Sequence, residues 1–181
     1  MTLCRHEGLY DREPMPGTVL VVGGGDPPDS ATVAALPAAD LVVAADSGVD
    51  RANAIGLAVD VAIGDFDSVT AVGLLAAERA GARIIRHKRV KDETDLELAM
   101  LEAVTHEPER IIAIAIDGGR IDHYLANVAL LADPRFAASE VDALTGSGAL
   151  SVVHRRRSFA ARVGELVTLL PVRGSAHGVR T

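Results

Sequence analysis

Ala62-Ile63-Gly64-Asp65-Phe66-Asp67-Ser68 sets two carboxylates two residues apart, directly after a short apolar run over 59–63. Successive strand residues point to opposite faces, so positions i and i+2 share one. If the run is a strand, Asp65 and Asp67 leave its C-terminal end on the same side and can converge on one divalent cation. Open α/β sheets bind their ligands at that edge. Two uncompensated acids there repel each other, and Mg²⁺ is the usual remedy where phosphates are handled. The plainer alternative is a solvated acidic turn. The rest of the chain argues against it by repeating the pattern.

Working outward, the run 18–22 ends at Gly23-Gly24-Gly25-Asp26, and 41–45 ends at Asp46-Ser47-Gly48. The run 83–86 is followed within a few residues by Lys91-Asp92, and 111–116 ends at Asp117-Gly118-Gly119. Between them, Ala- and Leu-rich stretches such as 69–80 and 96–106 fit helices. Strands alternating with helices predict an α/β fold, a mostly parallel sheet with flanking helices. Parallel strands bring their C-terminal ends to one rim. Asp46, Asp65, Asp67, Asp92 and Asp95 thereby become neighbours in space, and solubility alone gives acids no reason to collect at strand ends.

The pattern changes past about residue 138. One more strand is expected over 140–144, then a turn at Thr145-Gly146-Ser147-Gly148, then short strands over 149–154, 157–161 and 166–170. No helical period runs there. The expected organisation is a flexible lead-in over 1–17, an α/β nucleotide-binding domain over 18–145, and a small β domain over 146–181, cut short at Val179-Arg180-Thr181.

Composition narrows the function. A chain of 181 residues, 49% apolar and 24% charged, is long enough for a real core and ordinary for a soluble globular protein. Aromatics at 3% with no Trp argue against a base-stacking platform, and a formal charge of −7 argues against a nucleic-acid backbone as partner. A site taking cation and polyphosphate together remains compatible. A single Cys4 excludes a disulfide framework within the chain. The charged N-terminus has no continuous apolar stretch resembling a signal peptide, and no window reaches the ~18 apolar residues of a membrane span. The expected location is the cytoplasm.

Two further segments can carry chemistry. Lys91-Asp92-Glu93-Thr94-Asp95-Leu96-Glu97 opens a helix, where acids favour the macrodipole and Asp92 or Thr94 makes an N-cap. Capping does not need all of these residues together, which makes Asp95 the better functional candidate. In Asp117-Gly118-Gly119-Arg120-Ile121-Asp122-His123-Tyr124-Leu125-Ala126-Asn127, two glycines let backbone approach a ligand. The following helix aims N–H groups at an anion, and Arg120 can fork onto phosphate oxygens. Asn127 lies one turn beyond His123; the alternative is an N-cap Asp with a surface His. Gly23-Gly24-Gly25-Asp26 fits neither the dinucleotide nor the P-loop pattern, and a turn needing positive φ explains it as well. Asp46-Ser47-Gly48 also reads as a helix cap, and Arg155-Arg156-Arg157 as a solvated strand or turn.

Read together, Ala45-Asp46-Ser47-Gly48, Gly64-Asp65-Phe66-Asp67-Ser68, Lys91-Asp92-Glu93-Thr94-Asp95-Leu96-Glu97 and Gly118-Gly119-Arg120-Ile121-Asp122-His123 with Leu125-Ala126-Asn127 resemble the thiamine pyrophosphokinase (thiamine diphosphokinase) family. Order and spacing match over about residues 18 to 135, and the β unit matches loosely. The resemblance implies an α/β domain followed by a small β-sandwich, a homodimer, and transfer of pyrophosphate from ATP to thiamine with Mg²⁺. It assigns Asp46, Asp65, Asp67 and Asp95 to the acidic cluster for Mg²⁺ and substrate, with Asp65, Asp67 and Asp95 as metal ligands. Ser68, Thr94, Arg120, Asp122, His123 and Asn127 become nucleotide and phosphate contacts. Asp46 or Asp122 would accept a hydrogen bond from the attacking hydroxyl. Family members usually continue past the equivalent of Val179 with further strands and a late Ser-Asn segment that helps hold thiamine.

Two other readings compete. Asp65-Phe66-Asp67 followed by Val69-Thr70 mimics the nucleophile motif of haloacid-dehalogenase-like phosphatases, in which Asp65 would be phosphorylated and Asp67 would act as acid/base. That motif normally lies on the first strand, whereas two strands precede it here. A nucleotide- or thiamine-phosphate-binding module without turnover is the other.

Overall fold

The computed structural model describes residues 17–90, 92–160 and 163–180. Cys4, Lys91, Ala161, Thr181 and the lead-in before Gly17 lie outside the described residues. Among the described residues seven strands form one sheet in the order β4-β3-β2-β1-β5-β6-β7. They are β1 (Thr18–Val22), β2 (Leu41–Ala45), β3 (Val61–Gly64), β4 (Arg83–Arg86), β5 (Arg110–Ile114), β6 (Glu140–Thr145) and β7 (Gly148–Ser151). β1 to β6 pair in parallel and β7 returns antiparallel along β6. Among the described residues five α-helices connect them: α1 (Ser30–Ala35), α2 (Gly48–Ala54), α3 (Ala71–Arg79), α4 (Asp95–Thr105) and α5 (Ile121–Leu131). No helix among the described residues is long and apolar enough to cross a membrane.

Both sheet faces are covered, which explains why the strands read as continuous apolar runs. Val19, Val21, Val43, Val61 and Ile63 face one way, against Ala99, Met100 and Ala103 of α4, with Leu131 and Phe136 in the same cluster. Leu20, Val22, Val42, Ala44 and Ala62 face the other, against Val49 and Ala52 of α2 and Ala77 of α3. Small alanines on helices and strands let the layers approach closely, so few aromatics are needed.

Register sets the rim. Val22 pairs with Ala44 and Ile114, Ala45 with Ile63, and Gly64 with Arg86, so the C-terminal ends of β1 to β5 finish side by side. The strand order turns back at β1, between β2 and β5, the switch point where such sheets open a crevice.

Beyond β6 the structure departs from expectation. The strand expected over 149–154 forms over Gly148–Ser151 as the last strand of the main sheet. Among the described residues, 157–160 and 166–170 form no strand. A strand needs a neighbour for its backbone groups. Residue 157 instead turns its side chain back onto β6, where Arg157 Nη1 lies 2.7 Å from Asp142 Oδ1. Arg157 is therefore an ion-paired side chain against the sheet, not the solvated residue its basic neighbours suggest.

Candidate active site

Asp46 comes directly after β2 with φ 44°, a left-handed conformation uncommon for a residue with a side chain. Its N–H still donates to Ile63 O at 2.9 Å, holding the residue against β3. Only 7% of Asp46 is exposed, and its Oδ1 has no hydrogen-bond partner among the described residues. Burial pushes the carboxyl above its ordinary range; the Ser47 N–H opposes, Asp95 adds like charge, the Ser68 N–H opposes again, and Asp65 adds further repulsion. The alternative of a capping role fails here: Ser47 is the N-cap of α2, without a side-chain cap bond.

Asp65 and Asp67 converge by a different route from the pleat. β3 ends at Gly64, and Phe66 between the acids takes φ 60°. The chain turns there, and Asp67 N–H donates to Asp65 Oδ1 at 3.1 Å. Ser68 Oγ donates to Asp67 Oδ1 at 2.8 Å. The result is a group in which one carboxylate oxygen from each of Asp46, Asp65 and Asp67 lies within 4.8 Å of the others. A cation bound by oxygens at about 2.0–2.4 Å can bridge such a separation.

Asp95 comes up against Gly64 beside Asp46. A methyl on that glycine would stand 3.0 Å from Asp95 Oδ1 and 3.2 Å from Asp46 Cβ, so glycine is what lets the two acids approach the strand end. Its φ of 148° is also one that side chains rarely adopt. Asp95 is the first residue of α4, whose N-cap Thr94 accepts from Glu97 N–H at 3.1 Å. The positive end of the helix dipole thereby faces the acids. The end of β4 and the segment after it add cations: Arg89 Nη2 lies 3.0 Å from Asp67 Oδ2, and the Arg86 guanidinium sits 4.9 Å from the centre of the Phe66 ring.

The second segment stands on the same rim with β1 between, roughly 10 Å away by strand spacing. Arg120 forks onto Asp122, at 2.5 Å through Nη2 and 3.2 Å through Nε. The Arg120 hydrogen bonds hold the Asp122 carboxyl below its ordinary value. His123 is exposed on the first turn of α5. Asn127 Nδ2 donates to Ile116 O at 2.7 Å, tying α5 to the loop after β5.

Sequence reasoning undervalued the glycine run after β1. None of Gly23, Gly24 and Gly25 has positive φ. They are required by close approach: a Cβ on Gly23 would lie 2.6 Å from Ala115 O, on Gly24 2.4 Å from Ser47 Oγ, and on Gly25 2.1 Å from Asp117 O. Gly25 N–H donates to Ala115 O and Asp26 N–H to Asp117 O, each at 2.7 Å, so the two loops run as a seam across the switch point. A Cβ on Gly118 would meet the Asp26 carboxylate at 2.3 Å, which brings Asp26 to the Gly118-Gly119 turn. The available signal was that two glycine clusters end strands that become neighbours.

Comparison with known proteins gives a consistent result. The family described as "Thiamin pyrophosphokinase, catalytic domain" matches residues 33–142. Thiamine pyrophosphokinase of Bacillus subtilis is 36% identical over 91 residues, covering 50% of this chain and 42% of that protein. The crystal structure of Bacillus subtilis thiamine pyrophosphokinase superposes with a TM-score of 0.61 at 28% identity, covering 71% of this chain and 61% of the other. The Enterococcus faecalis thiamin pyrophosphokinase family protein gives 0.56 at 32% identity, covering 68% and 60%. This chain thus spans less than two thirds of the length of these relatives.

Proposed function

The chain belongs to the thiamin pyrophosphokinase catalytic-domain family, and from that premise we propose that it transfers pyrophosphate from ATP to thiamine, giving thiamine diphosphate and AMP. The observation that carries this reading is the group of Asp46, Asp65 and Asp67 oxygens at the strand ends, with Asp95 beside it. The residues fit a hard divalent cation. All the donors are carboxylate oxygens, and the buried Asp46 Oδ1 has no hydrogen-bond partner among the described residues.

Asp65 and Asp67 would hold Mg²⁺ together with Asp46, and Asp95 would add charge from the α4 side. When bound, the ion neutralises phosphate oxygens and the charge developing on departing AMP. In the reaction the hydroxyethyl oxygen of thiamine bonds to the β-phosphorus of ATP. The bond from that phosphorus to the bridging α–β oxygen breaks, and AMP leaves with its electron pair. Little covalent work falls to the protein, so positioning and charge matter most.

Asp46 or Asp122 would accept a hydrogen bond from the attacking hydroxyl and then its proton. Arg120, with Asp122 orienting it, would exchange its carboxylate for phosphate oxygens. Ser68 and His123 would contact the nucleotide directly. Thr94 and Asn127, already bonded within the fold, would fix the loops that do so. The same reading takes the protein to act in the cytoplasm as a homodimer.

The test is AMP release from Mg-ATP, with and without thiamine. Thiamine-dependent AMP, matched by thiamine diphosphate, is expected, and Asp67→Ala should lose at least about a thousandfold in turnover. Inorganic phosphate with a trapped aspartyl-phosphate at Asp65 would instead indicate a phosphatase. Mg-ATP binding without AMP would indicate a binding module.

A further inference from the structure

Arg86 at the end of β4, with His87, Lys88 and Arg89 after it, forms a basic run to which the reaction above gives no task. The fold sets this run beside the acidic turn. Arg86 is opposite Gly64 in the β3–β4 register and lies over the Phe66 ring. Arg89 lies beyond the strand, 80% exposed, with Nη2 at 3.0 Å from Asp67 Oδ2. The two arginines differ in freedom: one belongs to the ladder, the other to an exposed loop.

A divalent cation at the three carboxylates and the Arg89 guanidinium compete for the same Asp67 group. An exposed ion pair is weak, so the doubly charged ion displaces it. The freed guanidinium then stands next to whatever phosphate that ion carries. Its planar fork suits phosphate oxygens better than a single carboxylate oxygen.

We infer that Arg89 is a polyphosphate-binding residue: it covers Asp67 while no cation is present and transfers to the phosphates of a nucleoside polyphosphate once the cation takes Asp67. This rests on the reading of the acids as a cation and nucleotide site. It makes cation and nucleotide binding cooperative through one side chain, because the ion that loses a competitor gains a clamp on its phosphates.

Two titrations on the full chain test it, one with Mn²⁺ alone followed by its electron paramagnetic resonance signal, one with ATP at saturating Mn²⁺ followed by calorimetry. Arg89→Ala is expected to bind Mn²⁺ alone about two- to fivefold more tightly, the range an exposed ion pair accounts for. The same variant should bind ATP about tenfold more weakly, the scale of a charge-assisted hydrogen bond. Arg89→Lys keeps the point charge without the fork and should fall between on ATP. Unchanged or weaker Mn²⁺ binding by Arg89→Ala overturns the inference, and so does unchanged ATP affinity. Both readouts are independent of thiamine, so a failure of the kinase reading, seen as no thiamine-dependent AMP from the unsubstituted protein, is distinguishable from a failure at Arg89.

Discussion

At the scale of single residues, Asp46 concentrates the cost of the site. It combines a left-handed backbone, near-complete burial and a carboxylate oxygen without a hydrogen-bond partner among the described residues. Strain of this kind survives only where the surroundings over-determine it. Asp46→Asn should therefore raise the urea midpoint of cation-free protein at pH 7, while Mn²⁺ affinity falls by about tenfold or more. A substitution that stabilises the fold and weakens the ion separates a functional acid from a structural one. Asp46, Asp65 and Asp67 were readable as neighbours because each closes an apolar run of a parallel sheet. The left-handed turn at Phe66 was not readable, since its φ of 60° depends on the Asp65–Asp67 hydrogen bond rather than on residue type.

At the scale of elements, two seams support the rim. Between the loops after β1 and β5, glycines are needed for clearance, and Gly25→Ala drives a Cβ to 2.1 Å from Asp117 O. That substitution should cost about 2 kcal/mol in urea unfolding and weaken ATP binding while leaving Mn²⁺ affinity near its original value. The second seam is at β6, where Asp142 is 2% exposed and joined by Arg110 at 2.6 Å, Arg157 at 2.7 Å and Ser151 Oγ at 2.6 Å. Burial pushes the Asp142 carboxyl up, but these partners together hold it below its ordinary 3.8. A lowered folded-state value means the stabilisation is present above 3.8 and is lost as pH falls from there through the lower folded value. Asp142→Ala should cost about 3 kcal/mol at pH 7. The gap from the unsubstituted protein should shrink as pH drops below 3.8. Strand and helix order could be read from alternating apolar runs; these seams could not, because Arg157 and Asp142 meet only after β6 and β7 have paired.

At the scale of the whole molecule, the described residues 163–180 are exposed throughout, including Leu166, Val167, Leu169 and Leu170. They add no buried apolar side chain to either core cluster. Removing 163–181 should therefore shift the melting temperature of the sheet by less than about 2 °C, the effect expected of a stability change under half a kcal/mol. It should also leave Mn²⁺ affinity unaltered. A large drop in either would show that this segment supports the α/β unit. The proposed site depends on carboxylates from separate loops sharing one ion on the rim of the sheet. Anomalous scattering from a crystal grown with Mn²⁺ tests that most directly. The predicted result is a strong peak beside the Asp46, Asp65 and Asp67 carboxylates, absent in Asp67→Ala crystals; no peak there, or one unchanged by that substitution, would contradict it.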